Sequence, residues 1–269
     1  MRSFNKVLTN LILPILILFM AFKFNVLLGW LLILGFVLYA AFKSRGDIYA
    51  YIGNLKYMRG NEKGAIKWIG HAAKFKNCQP RVLTAYSFLL LKNGDREAAE
   101  KYLEIVINSK ASIDEKQNAR VTMAIVEWKK GRLYYAINAL EDIYRDFKNT
   151  NLYSYLGFLY IAKGDYERAL QFNLEALEYN NSSSLILNNL GLTYYLLGRY
   201  DESQEIYVKF INNDPIFAEA YYYYGILLLK KNNKEEARKN FNKSLTFANS
   251  LLTIISKEDI EQKISGLDK

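Results

Sequence analysis

Apolar residues are arranged along the chain in two different ways. Over the first 45 residues they are nearly continuous: residues 7–22 and 26–42 are uncharged apolar runs of 16 and 17 residues, separated by Lys23, Phe24 and Asn25. Taken as one helix, residues 7–42 would extend about 54 Å, well beyond a bilayer core of about 30 Å. Taken as two helices, each run spans if flanking residues snorkel or the bilayer thins. Lys23 then sits at the turn with its amine among the far headgroups. From about residue 46 to residue 251 the pattern changes to helical hairpins repeating roughly every 34 residues.

Two columns of small residues carry the repeat. The first is Gly53, Ser87, Ala124, Gly157, Gly191 and Gly225. The second lies twelve residues further on each time: Ala65, Ala99, Ala136, Ala169, Ser203 and Ala237. Both columns step by 34, 37, 33, 34 and 34 residues. A small residue on each helix lets the two backbones approach while bulky neighbours interlock around the contact. Between the columns Gly60, Gly94, Gly131, Gly164, Gly198 and finally Asn232 mark the turn, where a left-handed residue ends the first helix. The longer second step follows from Ser112 and Glu115, which form a capping box and start the next helix a turn early.

With these residues in register, the sequence resembles the tetratricopeptide repeat. The best unit, residues 184–217, carries Leu187, Leu190, Gly191, Tyr194, the turn at Gly198, Ser203, Tyr207 and Pro215. The unit before it matches through Tyr153, Leu156, Gly157, Tyr160, Gly164 and Ala169, with Asn173 where a bulky apolar residue is expected. The unit after it matches through Tyr221, Gly225, Leu228, Ala237 and Phe241 and lacks the final proline. The three N-terminal units follow the pattern mainly in register, with Leu103 and Leu140 filling the bulky position. The resemblance implies an all-α fold, a right-handed superhelical solenoid of about six hairpins at residues 46–79, 80–113, 117–149, 150–183, 184–217 and 218–251. Two short transmembrane helices within residues 1–45 precede it, and residues 252–269 supply a capping helix and tail. Leu252, Ile255, Ile260 and Ile264 give that last segment one apolar face. Glu258, Asp259 and Glu261 argue against its contact with anionic lipid.

Charge sharpens the reading of the N-terminus. The chain carries a formal net charge of +9, and all of the excess falls in the first 113 residues. Residues 1–45 hold Arg2, Lys6, Lys23, Lys43 and Arg45 and no acid. Beside an apolar run this points to a membrane surface and not to nucleic acid. A cleaved signal peptide is the rival, but Phe19 before Ala21 and Tyr39 before Ala41 break the small-x-small cleavage pattern. With positive charge at the outer ends, the positive-inside rule places both termini and the array in the cytoplasm. Neither run contains an acid or a histidine, so the expectation is a two-pass anchor contacting lipid through residues 7–42, without an ion pathway.

Catalytic chemistry finds no footing. His71 is the only histidine and Cys78 the only cysteine, so neither paired metal ligands nor a disulfide can form within the chain. His71 reads as a surface or packing residue and Cys78 as a small buried side chain. No phosphate-binding glycine loop occurs. Asp165, Glu167, Asp201 and Glu202 follow turn glycines, where carboxylates favour a helix N-terminus. The expectation is a non-enzyme with no cofactor, no metal and no small-molecule substrate.

Members of the resembled family grip peptides or helices along their first helices. That register places Tyr57, Phe88, Lys92, Trp128, Lys129, Phe158, Asn188, Tyr195, Tyr222 and Lys230 along a concave groove, a mixture suited to an apolar helix or extended peptide. Ala50 and Ala85 stand where chaperone-tail binders place polar clamps, so a C-terminal carboxylate ligand is not expected. The leading reading is a membrane-tethered scaffold for a protein or peptide partner. The alternative is a regulatory or assembly subunit of a membrane transport or envelope-biogenesis complex, with the apolar hairpin as its contact surface.

Overall fold

The computed structural model describes residues 13–247 and 250–267, which form fifteen helices and, among the described residues, no strand. Residues 7–12 of the first apolar run lie outside them. The chain divides into two compact units, Met1–Val82 and Leu83–Lys269.

In the first unit, α1 (Leu13–Phe24) and α2 (Val26–Lys43) are separated by Asn25 alone. Its backbone is extended, and its side-chain oxygen accepts from the Leu27 N–H at 2.8 Å, so one residue both ends α1 and caps α2. The break is tight: a Cβ on Gly29 would fall 2.5 Å from the Phe22 ring. By length and composition α2 is able to cross a membrane, and α1 is a shorter apolar helix. Both leave large apolar side chains uncovered, Trp30 being 62% exposed. The first hairpin follows, α3 (Arg45–Met58) with α4 (Glu62–Ala73), closed where Gly53 meets Ile69. Tyr49 lies 5.5 Å from the Trp68 ring and 5.8 Å from His71, which makes His71 a packing partner. Beneath them Asp47 accepts from Gln79 at 2.8 Å, beside a cavity of about 260 Å³ that Cys78 also lines. Burial pushes the Cys78 thiol up to about 11, and the Asp47 carboxylate adds to the effect.

The second unit holds most of α5 (Pro80–Lys92) and then α6 (Arg96–Ile107), α7 (Ile113–Lys129), α8 (Leu133–Tyr144), α9 (Thr150–Lys163) and α10 (Tyr166–Tyr179). It continues with α11 (Ser184–Leu196), α12 (Tyr200–Ile211), α13 (Ala218–Lys230), α14 (Lys234–Ser244) and α15 (Lys257–Ser265). All six residues of the second small column are fully buried. Opposite the first column stands the bulky residue sixteen positions later: a Cβ on Gly191 would lie 2.7 Å from the Tyr207 ring, and one on Gly225 2.7 Å from Phe241. Ser203 fits among the alanines because its hydroxyl donates to the Gly191 carbonyl at 2.8 Å.

The turns share one geometry. Gly198 has φ +75°, and the Arg199 N–H returns to the Tyr194 carbonyl at 2.9 Å. Asn232 takes φ +60° in the same role, with Asn233 donating to Leu228 at 2.9 Å. Ser112 and Glu115 form the expected capping box, which gives α7 17 residues against 13 in α5. Successive first helices α7, α9, α11 and α13 pack against one another, so they form one inner layer of the unit. Between hairpins, Glu175 on α10 accepts from Tyr144, from Tyr153 at 2.8 Å and from Lys148 at 3.3 Å. Burial opposes ionisation of Glu175, yet those three donors together hold its carboxyl below the usual range.

The C-terminal segment differs from its expected form. Residues 251–256 are irregular, and α15 begins only at Lys257. The cause is a second capping box: the Ser256 N–H donates to Asp259 at 2.6 Å and the Asp259 N–H to the Ser256 hydroxyl at 3.1 Å, fixing the helix start.

Asn173 is the one polar member of the bulky positions. It is fully buried against Gly157, its amide donates to Thr193 at 3.3 Å, and its Oδ1 has no partner. Asn173→Leu keeps the branching and removes the unpaired oxygen, and Thr193 still donates to Asn189 at 2.7 Å. The substitution is therefore expected to stabilise the fold by about 1 kcal/mol. Gly191→Ala is expected to destabilise it by about 1–3 kcal/mol through overpacking against Tyr207. Urea titration followed by circular dichroism checks both signs. Cys78 is expected to alkylate with iodoacetamide at pH 8 about a hundredfold more slowly than an ordinary thiol, since its thiolate fraction falls by that factor; mass spectrometry over time measures the rate.

Candidate peptide-binding groove

The inner layer of first helices in the second unit brings several of the expected groove residues together. On α7, Trp128 and Lys129 are half-buried, and the Lys129 ammonium stands 4.3 Å over the Trp128 ring. Trp128 meets Phe158 of α9 edge-on at 5.2 Å. This contact leaves Phe158 only 2% exposed, so it supports Trp128 from behind. On α11, Asn188 is 6% exposed, and its Oδ1 is a buried acceptor with no partner among the described residues. Tyr195 is half-buried and lies 5.6 Å from Tyr200, over whose ring Lys230 stands at 5.5 Å. Phe88 and Lys92 on α5 are half-buried. Tyr57 belongs to the first unit, where it is partly exposed on α3.

Tyr222 differs from its expected place at the surface. It is 8% exposed, because Ile255 and Ile260 from the C-terminal segment close over a cluster it shares with Leu228, Ala237 and Phe241. Leu91 and Ile161, also on first helices, are buried packing residues.

Two groups were not singled out in the sequence. Glu219, near the start of α13, is 1% exposed, and its carboxylate accepts from the Ser250 N–H at 2.9 and 3.0 Å and from the Ser250 hydroxyl at 3.1 Å. Thr253 is the second: its carbonyl accepts from the Lys129 ammonium at 3.4 Å, across 124 residues of chain. Burial lowers the Lys129 pKa, and the Glu219 charge acts in the opposite sense. An acid amid the apolar residues of α13 was the available sign for Glu219. Thr253 left none, since a backbone carbonyl has no identity in a sequence. Among the described residues no group of three metal-ligating side chains occurs.

The sequence profile of the tetratricopeptide repeat family matches residues 188–250. A tetratricopeptide repeat-containing protein of Methanocaldococcus jannaschii is 22% identical over 175 residues, 62% of this chain and 31% of the relative, so the match spans under a third of that protein's length. Among solved structures, a tetratricopeptide repeat protein of Parabacteroides merdae aligns with a TM-score of 0.62 at 14% identity, over 84% of this chain and 85% of that one. A tetratricopeptide repeat protein of Thermus thermophilus aligns with a TM-score of 0.56 at 22% identity, over 68% of this chain and 99% of that one. The PilF protein of Pseudomonas aeruginosa aligns with a TM-score of 0.55 at 14% identity, over 83% and 98%. The profile match coincides with the units whose Gly191–Tyr207 and Gly225–Phe241 contacts are closest to the repeat pattern, and the fold alignments extend well beyond them: residues 188–250 match the tetratricopeptide repeat family, and the chain has the fold of a tetratricopeptide repeat array.

Proposed function

We propose that this protein is a membrane-tethered interaction scaffold whose helical array lies in the cytoplasm and holds a partner peptide or helix along its first helices. The observation that carries the reading is the pairing of an aromatic and cationic inner face, Lys129 over Trp128 and Lys230 over Tyr200 beside Tyr195, with an N-terminus whose apolar side chains are uncovered. Aromatic anchors beside a few donors suit an apolar peptide whose backbone must be read as well as its side chains. Uncovered residues such as Trp30, Phe36 and Tyr39 are costly in water and at home in lipid. Lys43, Arg45, Lys56 and Arg59 would flank the membrane on the cytoplasmic side, with residues 7–22 and 26–42 as two passes.

A second reading makes the apolar hairpin the contact surface of a transport or envelope-building complex. It draws on the close seat of the Phe22 ring on Gly29, since small residues are what let apolar helices pack in lipid. Exchanging residues 1–45 for an unrelated two-pass anchor separates the two, because a groove scaffold keeps its partners after the exchange.

Affinity capture from detergent-solubilised membranes tests the groove. Trp128→Ala with Tyr195→Ala is expected to lose the main partner at least about tenfold, the cost of truncating two hot-spot aromatics. These two positions are chosen because Tyr222 belongs to the packed core. An unchanged partner set would refute the groove. A reporter fused after Lys269 is expected to be active on the cytoplasmic side, and activity only on the opposite side overturns the orientation.

A further inference from the structure

The C-terminal segment does two separable things. Ile255 and Ile260 cover the last hairpin, and any open-ended array needs such a cover. The stretch just before them does something a cover does not require. Residues 250–253 run from Glu219, on the first helix of the last hairpin, to Lys129, on the first helix three hairpins earlier. Leu251 and Leu252 are buried although they belong to no helix. A segment that only closed the end of the array would have no reason to meet α7.

The geometry points to residues 250–253 as a resident ligand of the groove, one that an external partner of the same chemistry must displace. This deepens the scaffold reading and rests on it, because it takes the inner face of the first helices as the binding surface. The contacts also state what that partner is: an extended peptide with aliphatic side chains, read through its backbone. Lys129 donates to a main-chain carbonyl, Thr253 at 3.4 Å. Glu219 accepts a main-chain N–H at 2.9 and 3.0 Å together with a hydroxyl at 3.1 Å. Leu251 and Leu252 supply the apolar burial between these two polar grips.

Displacement is feasible for a physical reason. Glu219 and Lys129 are charged groups that the segment helps to cover, and both regain water when it leaves, which offsets part of the lost contact. Against that stands tethering, since a segment joined to its site competes at an effective concentration on the order of mM. A weak partner is therefore excluded and a strong one admitted.

The test uses the full-length chain in detergent and a fluorescent synthetic peptide copying residues 250–256. Leu251→Ser with Leu252→Ser removes the apolar grip without touching α15. It is expected to raise the affinity for the added peptide about tenfold, as follows when the groove is filled in about nine molecules of ten. Lys129→Ala in that background is expected to reverse the gain, since a hydrogen bond from a charged donor is worth about a factor of ten or more. Hydrogen exchange on the wild-type chain is the second measurement: saturating peptide is expected to accelerate exchange at residues 250–253. A released variant that binds the peptide no more tightly than wild type, or resident amides that stay protected at saturation, overturns the proposal. If Trp128→Ala with Tyr195→Ala still depletes the partner in the capture experiment, only self-occupation has failed. If that capture is unchanged as well, the groove itself has failed.

Discussion

The array depends on one constraint: in each hairpin two helix backbones come so close that only a small residue fits where they meet. At Gly191 the Tyr207 ring occupies the place a side chain would take, and at Gly225 Phe241 does the same. Alanine or serine on the second helix, fully buried every time, lets the first helix settle against it. The large residues then project past the contact and fill the space between hairpins, which is how a purely local packing rule becomes a continuous core. Where the rule is bent, the chain compensates. Ser203 ties its hydroxyl to the Gly191 carbonyl. Asn173 puts a smaller polar side chain at the bulky position and leaves an oxygen without a partner among the described residues.

A linear array built this way has two ends with uncovered apolar faces, and within each unit the chain treats its own terminus differently. In the first unit, α1 and α2 are left open, with aromatic and aliphatic side chains exposed. In the second unit, the terminal hairpin is closed by Ile255 and Ile260. The Ser256–Asp259 capping box holds the start of α15 at the place where Ile260 can reach that hairpin.

The inner layer holds a small number of polar groups in apolar surroundings. Lys129 is held over Trp128, and Glu219 is almost wholly enclosed. Charges in such positions are costly unless partnered, and here Ser250 partners Glu219 while the Thr253 carbonyl partners Lys129.

The hairpins were legible in the sequence because their cause is local and periodic. Close packing demands a small residue, a left-handed turn demands glycine or asparagine, and both demands recur at a fixed spacing that a linear reading registers. The capping box at Ser112 and Glu115 was legible for the same reason, since three residues contain the whole interaction. The anchor-like apolar runs needed only their length and lack of charge. The inner face was legible only in part. Register identified which side chains point inward, as with Trp128 and Lys129, but not which of them a neighbour covers. Phe158 lies behind Trp128, and Tyr222 lies beneath Ile255 and Ile260, because contacts between hairpins and with the C-terminal segment decide burial. The path of residues 250–256 was decided by the tertiary structure alone. It is set by hydrogen bonds to Glu219 and Lys129 from main-chain groups that every residue carries, and no pattern of side chains along the sequence encodes which of those groups will be used.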